Sequence, residues 1–239
     1  MGESPLNTYT YFAQAIVNVT TRKVEEYELL LRAWSPQDRD WYLPETFDIS
    51  VGMQTRMLKE ALKNLDVQRV SINLTPEQFA SRSVVQRLAR FVKQTPRLAQ
   101  LTVELTAAPT VEELTTMGPE YHQHQMLIAL DDVGSDIDDI GLVEQLAPGV
   151  DSFKFALQNL REQGETADLL GRVQPWADLA HAHDIQFTVE GVETYADLQL
   201  ARSVGASHAQ GFFFNHPTSP NQRNERAFAQ QISNLNDLI

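Results

Sequence analysis

Two adjacent carboxylates, Asp131 and Asp132, follow directly on the apolar run Met126-Leu-Ile-Ala-Leu130, which reads as a buried strand. Anions packed side by side where a strand opens into a loop repel one another and are poorly solvated, unless a cation lies between them. Taken alone, the pair could also cap a helix or sit in a solvated loop. The pattern recurs along the chain. Val70-Ser-Ile-Asn73 and Ser207-His-Ala-Gln210 end in amides, and Leu101-Thr-Val-Glu104 and Gln186-Phe-Thr-Val-Glu190 end in carboxylates. Oxygen ligands therefore recur at strand ends, and the chemistry they suggest is that of a bound cation.

The elements that must bring these ends together alternate almost throughout, strand-like then helix-like, which implies βα units and a largely parallel sheet. Val84, Leu88, Phe91 and Val92 mark one face of a helix within residues 83–94, and Leu169, Val173, Trp176 and Ala180 mark another. Pro76 and Glu77 fit a helix start after Thr75, and Gly164 and Gly205 sit at breaks. In an open doubly wound sheet, ligands gather at one switch point. In a closed barrel every strand points its carboxyl end at one rim. Candidate ligands on many strands favour the barrel.

At 239 residues and 42% hydrophobic, the chain suits one α/β domain, with a core over roughly residues 8–220 and a terminal helix after about 221. No apolar stretch approaches the roughly 20 residues that span a bilayer, and the N-terminus lacks a basic region followed by an apolar core. Without cysteine there are no disulfides, thiolate nucleophiles or zinc-thiolate sites, which fits the cytoplasm. A formal charge of −13 argues against DNA, RNA polymers and anionic membranes as partners, although it could equally serve solubility alone. An anionic ligand would need something local to reverse the field.

Taken together, the strand ends resemble the EAL domain family of bacterial phosphodiesterases that linearise cyclic di-GMP. Glu28-Leu-Leu-Leu-Arg32 is similar to the family's Glu-Ala-Leu-Leu-Arg, and Phe12-Ala-Gln14-Ala-Ile-Val17 to the preceding Tyr-Gln-Pro-Ile-Val. Ser71-Ile-Asn73-Leu, Val103-Glu104-Leu-Thr106 and Ala129-Leu-Asp131-Asp132 resemble Val-Asn-Leu-Ser, Leu-Glu-Ile-Thr and Ala-Leu-Asp-Asp. Val189-Glu190-Gly-Val-Glu193-Thr194 carries Glu-Gly-Val-Glu-Thr, and Gln210-Gly-Phe-Phe-Phe214 with Pro217 matches Gln-Gly-Tyr-Leu-Phe and its proline.

The resemblance implies a modified TIM-type (β/α)₈ barrel whose first strand is antiparallel, and hydrolysis of cyclic di-GMP to linear pGpG. It implies that Glu28, Asn73, Glu104 and Asp131 hold one divalent cation and that Asp131 bridges to a second held with Asp132. Lys154 would orient the attacking water, Glu190 would be the carboxylate beside the metals, and Gln210 would support that water or its metal. Gln14 and Arg32 would contact the dinucleotide, and Glu193 would support a loop. These hard oxygen donors suit Mg²⁺ or Mn²⁺. A homodimer is a further possibility that the family suggests.

Without the motifs, each residue has a plainer reading. Glu28 could face solvent as Glu25 and Glu26 are expected to do, Asn73 could cap a turn, and Lys154 could lie on the surface. Glu193 could open the next helix. His122/His124 and His181/His183 read as surface residues, and Trp34, Trp41 and Tyr42 as loop packing. The chain also departs from the family. The loop after Asp132 reads Val133-Gly-Ser-Asp-Ile-Asp-Asp139 where the family has Phe-Gly-Thr-Gly-Tyr-Ser-Ser, with Asp136 at a turn position expected to need positive φ. Ala107 and Ala156 replace a glutamate that tethers this loop and an aspartate near the second metal. An active phosphodiesterase is the first reading. A receptor or protein-interaction module without useful turnover is the second.

Overall fold

The computed structural model describes residues 8–44, 49–66 and 68–220, so the terminal helix expected after 221 lies outside the described residues. Strands β1 (Tyr9–Asn18) and β2 (Val24–Ser35) form an antiparallel hairpin in which Gln14 faces Glu28. Asn18 closes its turn by accepting from the amides of Thr20 and Thr21. A short strand β3 (Asp40–Tyr42) folds back on the far end of β2, setting Trp34 against Trp41 with ring centroids 5.3 Å apart. The two tryptophans, expected to pack a loop, instead pack against each other across paired strands.

From β2 the sheet continues in parallel through β4 (Arg69–Leu74), β5 (Gln100–Leu105), β6 (Met126–Leu130), β7 (Ser152–Ala156), β8 (Gln186–Glu190) and β9 (His208–Gln210). β9 then pairs antiparallel with β1, Ile16 opposite Gln210, and the ring closes with eight strands while β3 stays outside it. The fold is the TIM-like barrel with an antiparallel first strand that the sequence implied.

The connecting helices are α1 (Val51–Ala61), α2 (Pro76–Phe79), α3 (Arg82–Gln94), α4 (Val111–Gln123), α5 (Ile140–Leu146), α6 (Leu157–Glu162), α7 (Leu169–Ala182) and α8 (Tyr195–Ser203). Thr75 with Gln78, Thr110 with Glu113 and Thr194 with Asp197 form capping boxes at the starts of α2, α4 and α8. Each cap is worth about 1 kcal/mol and pins the point where a loop becomes a helix. No helix among the described residues is long and apolar enough to cross a membrane.

Successive strand residues point to opposite faces, and the two faces of this ring differ in chemistry. Val70, Ile72, Leu101, Val103, Ile128, Leu130, Phe153, Phe155, Phe187 and Val189 are buried in the apolar core. At about 1.5–3 kcal/mol per large side chain, this layer supplies the stability. The alternate positions are polar: Ser71 and Asn73, Thr102 and Glu104, Ser152 and Lys154, Thr188 and Glu190. Glu26 belongs with them. It was expected to face solvent, but two residues before Glu28 it shares the inward face and is only 5% exposed.

The divergent loop after β6 is folded back on itself. Val133 and Ile137, both buried, form a bridge, and the Gly134 amide donates to the Ile137 carbonyl at 2.9 Å. Asp136 does not take positive φ; the left-handed residues are Asp132 (φ 53) and Gly134 (φ 84). A β-carbon on Gly134 would run into Phe155 Cε2 and come within 2.7 Å of Trp176 Nε1. Gly134→Ala is therefore expected to cost about 3 kcal/mol in urea unfolding, from left-handed strain and overpacking together. A loss below about 1 kcal/mol would mean that the loop is not held against Phe155 and Trp176 as described.

Candidate functional site

The parallel register delivers the polar strand ends to one rim. Asn73 pairs with Glu104 across β4 and β5, Glu104 with Ala129 across β5 and β6, and Lys154 with Thr188 across β7 and β8. Above the rim lies a cleft of about 600 Å³. Gln14, Glu28, Arg32, Asn73, Asp131, Asp132, Glu190, Glu193 and Gln210 line it. Glu104 and Lys154 lie beneath, lining a small chamber inside the ring. Every residue singled out from the sequence thus sits at this end of the barrel.

Lys154 is the hub. Its Nζ lies 2.6 Å from Glu190 Oε1, 2.9 Å from Glu104 Oε2, 3.3 Å from Asp131 Oδ1 and 3.4 Å from Glu28 Oε2, with its side chain 3% exposed. These contacts are ion pairs, and opposite charge on every side holds the group in place. With Asp132, five carboxylates surround one ammonium. Unit charges about 4 Å apart interact by about 4 kcal/mol at a protein-like dielectric, so the uncompensated anions strongly favour added positive charge.

Amides orient the first of these carboxylates. Asn73 Nδ2 donates to Glu28 Oε1 at 3.1 Å and Gln210 Nε2 to Glu28 Oε2 at 2.6 Å. Gln210 Nε2 also donates to Gln14 Oε1 at 3.1 Å, and Gln14 Nε2 donates to the Asn215 carbonyl at 3.1 Å. Arg32 lies over the Phe12 ring, 5.8 Å from its centroid, and donates to the Leu31 carbonyl. Glu193 is exposed at the edge of the cleft, where its backbone amide donates to Asp197 Oδ2 just ahead of α8.

Protonation follows from this crowding. Burial pushes the Glu28 carboxyl up, but Lys154 and the two amides bring it below the ordinary range. Glu104 is raised well above that range by burial and by Glu28, and Glu190 by burial and Asp131, in both cases against the pull of Lys154. Asp131 is raised by burial and Glu28, again against Lys154. Asp132 is pushed up to about 7 by burial and Asp131. Burial alone would lower Lys154, yet Asp131, Glu104, Glu190 and Glu28 raise it well above the ordinary lysine value, so it stays charged.

The donor set fits a divalent metal. Oxygens of Glu28, Glu104 and Asp131 lie within 4.8 Å of one another, as do oxygens of Asp131, Asp132 and Glu190. The two groups share Asp131, and Asn73 Oδ1 and Gln210 Oε1 are buried without a partner beside them. All are oxygen donors, the preference of hard cations.

Three supporting residues were not singled out from the sequence. Arg161 on α6 donates to the Gly191 carbonyl at 2.6 Å and to Asp197 at 2.7 Å, fastening the loop after β8. Asn215 accepts from the Ala15 amide at 3.0 Å and so locks Gln14 in place. Asn159 donates to Asp132 Oδ1 at 2.9 Å. Of these, only Asn215 had any cue, an amide two residues before the motif proline Pro217.

The family model described as the EAL domain matches residues 6–217 of the chain. The chain is similar to PdeD of Escherichia coli K12, described as a probable cyclic di-GMP phosphodiesterase, at 22% identity over 87% of this chain and 41% of that protein. It spans less than half the length of the curated relatives it matches. Among solved structures, the PaMucR phosphodiesterase in complex with cyclic di-GMP superposes with a TM-score of 0.73 at 20% identity, over 90% of this chain and 93% of that one. YkuI of Bacillus subtilis, solved with substrate cyclic di-GMP and calcium, gives 0.71 at 20% identity over 95% of this chain and 61% of that one.

The shifted carboxylates fix a pH dependence. In chelator, Asp132 with a folded value of about 7 against an ordinary 3.8 keeps a proton that the unfolded chain releases. That contribution is complete below about pH 4 and is lost as the pH climbs through about 7. Glu104, Asp131 and Glu190 shift in the same direction, so chelated protein should lose thermal stability as the pH rises across this window. Added Mg²⁺ or Mn²⁺ competes with those protons and should raise Tm more at about pH 8 than at about pH 6. Equal gains in thermal melts at the two pH values would show that the cation binds elsewhere.

Proposed function

The chain belongs to the EAL domain family, and from that premise we propose that it hydrolyses cyclic di-GMP to linear pGpG with bound Mg²⁺ or Mn²⁺. The observation that carries the reading is the pair of oxygen groups sharing Asp131 at the base of an open cleft, with Lys154 fixed among them. Glu28, Asn73, Glu104 and Asp131 would hold one cation, and Asp131 with Asp132 would hold the second. When bound, such cations lower the pKa of water and neutralise charge growing on phosphate oxygens.

The chain's own groups do the rest. Water adds to phosphorus, the bond to the 3′ oxygen breaks with its electron pair on that oxygen, a proton of the water ends on it as the 3′ hydroxyl, and one turnover opens the ring to a 5′-phosphorylated dinucleotide. Lys154 Nζ, charged at any working pH, orients the water, and Glu190, resting on that ammonium through Oε1, takes its proton. Gln210 keeps Glu28 turned into the site through the 2.6 Å bond to Oε2. Arg32 grips phosphate with its planar fork, and Gln14 borders the dinucleotide. The domain acts on a cytoplasmic messenger, and its family match spans residues 6–217.

The second reading, a receptor without turnover, draws on Ala107 and Ala156. The loop that Ala107 was expected to weaken is nevertheless closed by the Val133–Ile137 bridge and by Asn159, which favours turnover. A metal-free receptor is further disfavoured by the cleft's charge: Glu28, Asp136, Glu162 and Glu193 line it against Arg32, a field that repels a dianion.

Purified protein incubated with cyclic di-GMP and Mg²⁺ or Mn²⁺ should yield pGpG by liquid chromatography, and binding without product would leave only the receptor. Glu28→Ala and Glu190→Gln should each lower kcat by about 100-fold or more, and a near-normal rate in either variant would remove that residue's role. Calorimetric titration in chelator should show binding at least about tenfold weaker than with the cation, since the acidic cleft needs its positive charge. Equal affinity in the two conditions would contradict this electrostatic account.

A further inference from the structure

The carboxylate of Asp132 is held by a residue from another element. Asn159 on α6 uses Nδ2 twice, donating to Asp132 Oδ1 at 2.9 Å and to Ser135 Oγ at 3.0 Å. Ser135 Oγ donates in turn to the Asp132 carbonyl at 3.1 Å, and the amides of Ser135 and Ile137 reach the same carbonyl at 3.2 Å. Asp132 is thereby held at φ 53, a left-handed conformation that residues with a β-carbon adopt sparingly.

An amide nitrogen donates hydrogen bonds and is no cation ligand, so the effect of Nδ2 runs through the carboxylate it holds. That carboxylate offers an oxygen within 4.8 Å of oxygens from Asp131 and Glu190. Position 156, where β7 passes into α6, carries only a methyl group, so this end of β7 adds no oxygen ligand. The Asp131–Asp132–Glu190 group consequently depends on the orientation of Asp132 far more than the Glu28–Glu104–Asp131 group does. The latter is built wholly from strand ends and is braced by Asn73 and Gln210.

We propose that Asn159 is a positioning residue for a second, weaker cation position formed by Asp131, Asp132 and Glu190, distinct from a tighter one at Glu28, Glu104 and Asp131. The proposal rests on the cation-dependent function given above. Its consequence is that the two positions differ in strength and that the weaker one is tuned from α6, by a side chain that touches neither cation.

Mn²⁺ titrated into the full chain without nucleotide, with free Mn²⁺ followed by electron paramagnetic resonance, separates the two positions. Two classes of site are expected, and Asn159→Ala should weaken the weaker class about tenfold while leaving the tighter class within about twofold. In an Asp132→Asn background Asn159→Ala should have no further effect. Ser135→Ala, a smaller change, should weaken the same class by a lesser factor, and it decides the matter if Asn159→Ala does not fold. A single class of site, equal weakening of both classes, no change in either, or a further loss in the Asp132→Asn background overturns the proposal. Failure of the wild-type chain to bind any Mn²⁺ overturns the cation-dependent function itself. Two classes unaffected by Asn159→Ala remove only the role of Asn159.

Discussion

One ammonium inside a ring of carboxylates is the constraint on which the site depends. Lys154 approaches Glu28, Glu104, Asp131 and Glu190, which come from β2, β5, the end of β6 and β8. Each ion loses several kcal/mol of hydration in such a place, and only mutual attraction with good geometry offsets that loss. The attraction exists only when four separate strands are in register. The polar interior contributes little to stability in itself; it is tolerated because the apolar face of the same strands, packed beneath the helices, supplies the energy.

Strand ends were legible because a buried strand ending in a carboxylate or amide is an unusual pattern with a short list of explanations. Asn73, Glu104, Asp131, Glu190 and Gln210 all carried that signal, and all reach the rim. Glu26 misled because a pair of glutamates beside a turn resembles a solvated strand start, whereas the inward face here accepts acids wherever the ring supplies counter-charge. Arg161 and Asn159 were silent for a different reason. They sit on a short helix, and their partners, the Gly191 carbonyl and Asp132, are fixed only by tertiary folding. No local spacing encodes such a contact.

The departures from the family pattern illustrate how the same geometry can have different supports. Ala107 and Ala156 read as losses because each removes a charged side chain near the loop after β6. The loop nonetheless has a buried anchor at Ile137, a bridge to Val133, and Gly134 in a left-handed turn against Phe155 and Trp176. The acids at 136, 138 and 139 are exposed, and Asp139 caps α5 by accepting from the Leu142 amide, which places part of the added charge at a helix start. What looked like decay in sequence is, in part, a different way of tying the same turn.

The antiparallel strand β1 closes the ring against both β2 and β9, and the amide chain from Asn215 through Gln14 and Gln210 to Glu28 crosses that seam. Its contacts join residues about two hundred positions apart, Gln14 with Asn215 at a separation of 201 and Glu28 with Gln210 at 182. Contacts of such long range are late arrivals in folding, because the loop they close must be ordered first. The orientation of Glu28 thus requires that the ring be closed across β1, β2 and β9. Without β9 the Gln210 bond is lost and Asn73 alone of the two amides still holds Glu28, so this first acid is fully oriented only in the closed ring.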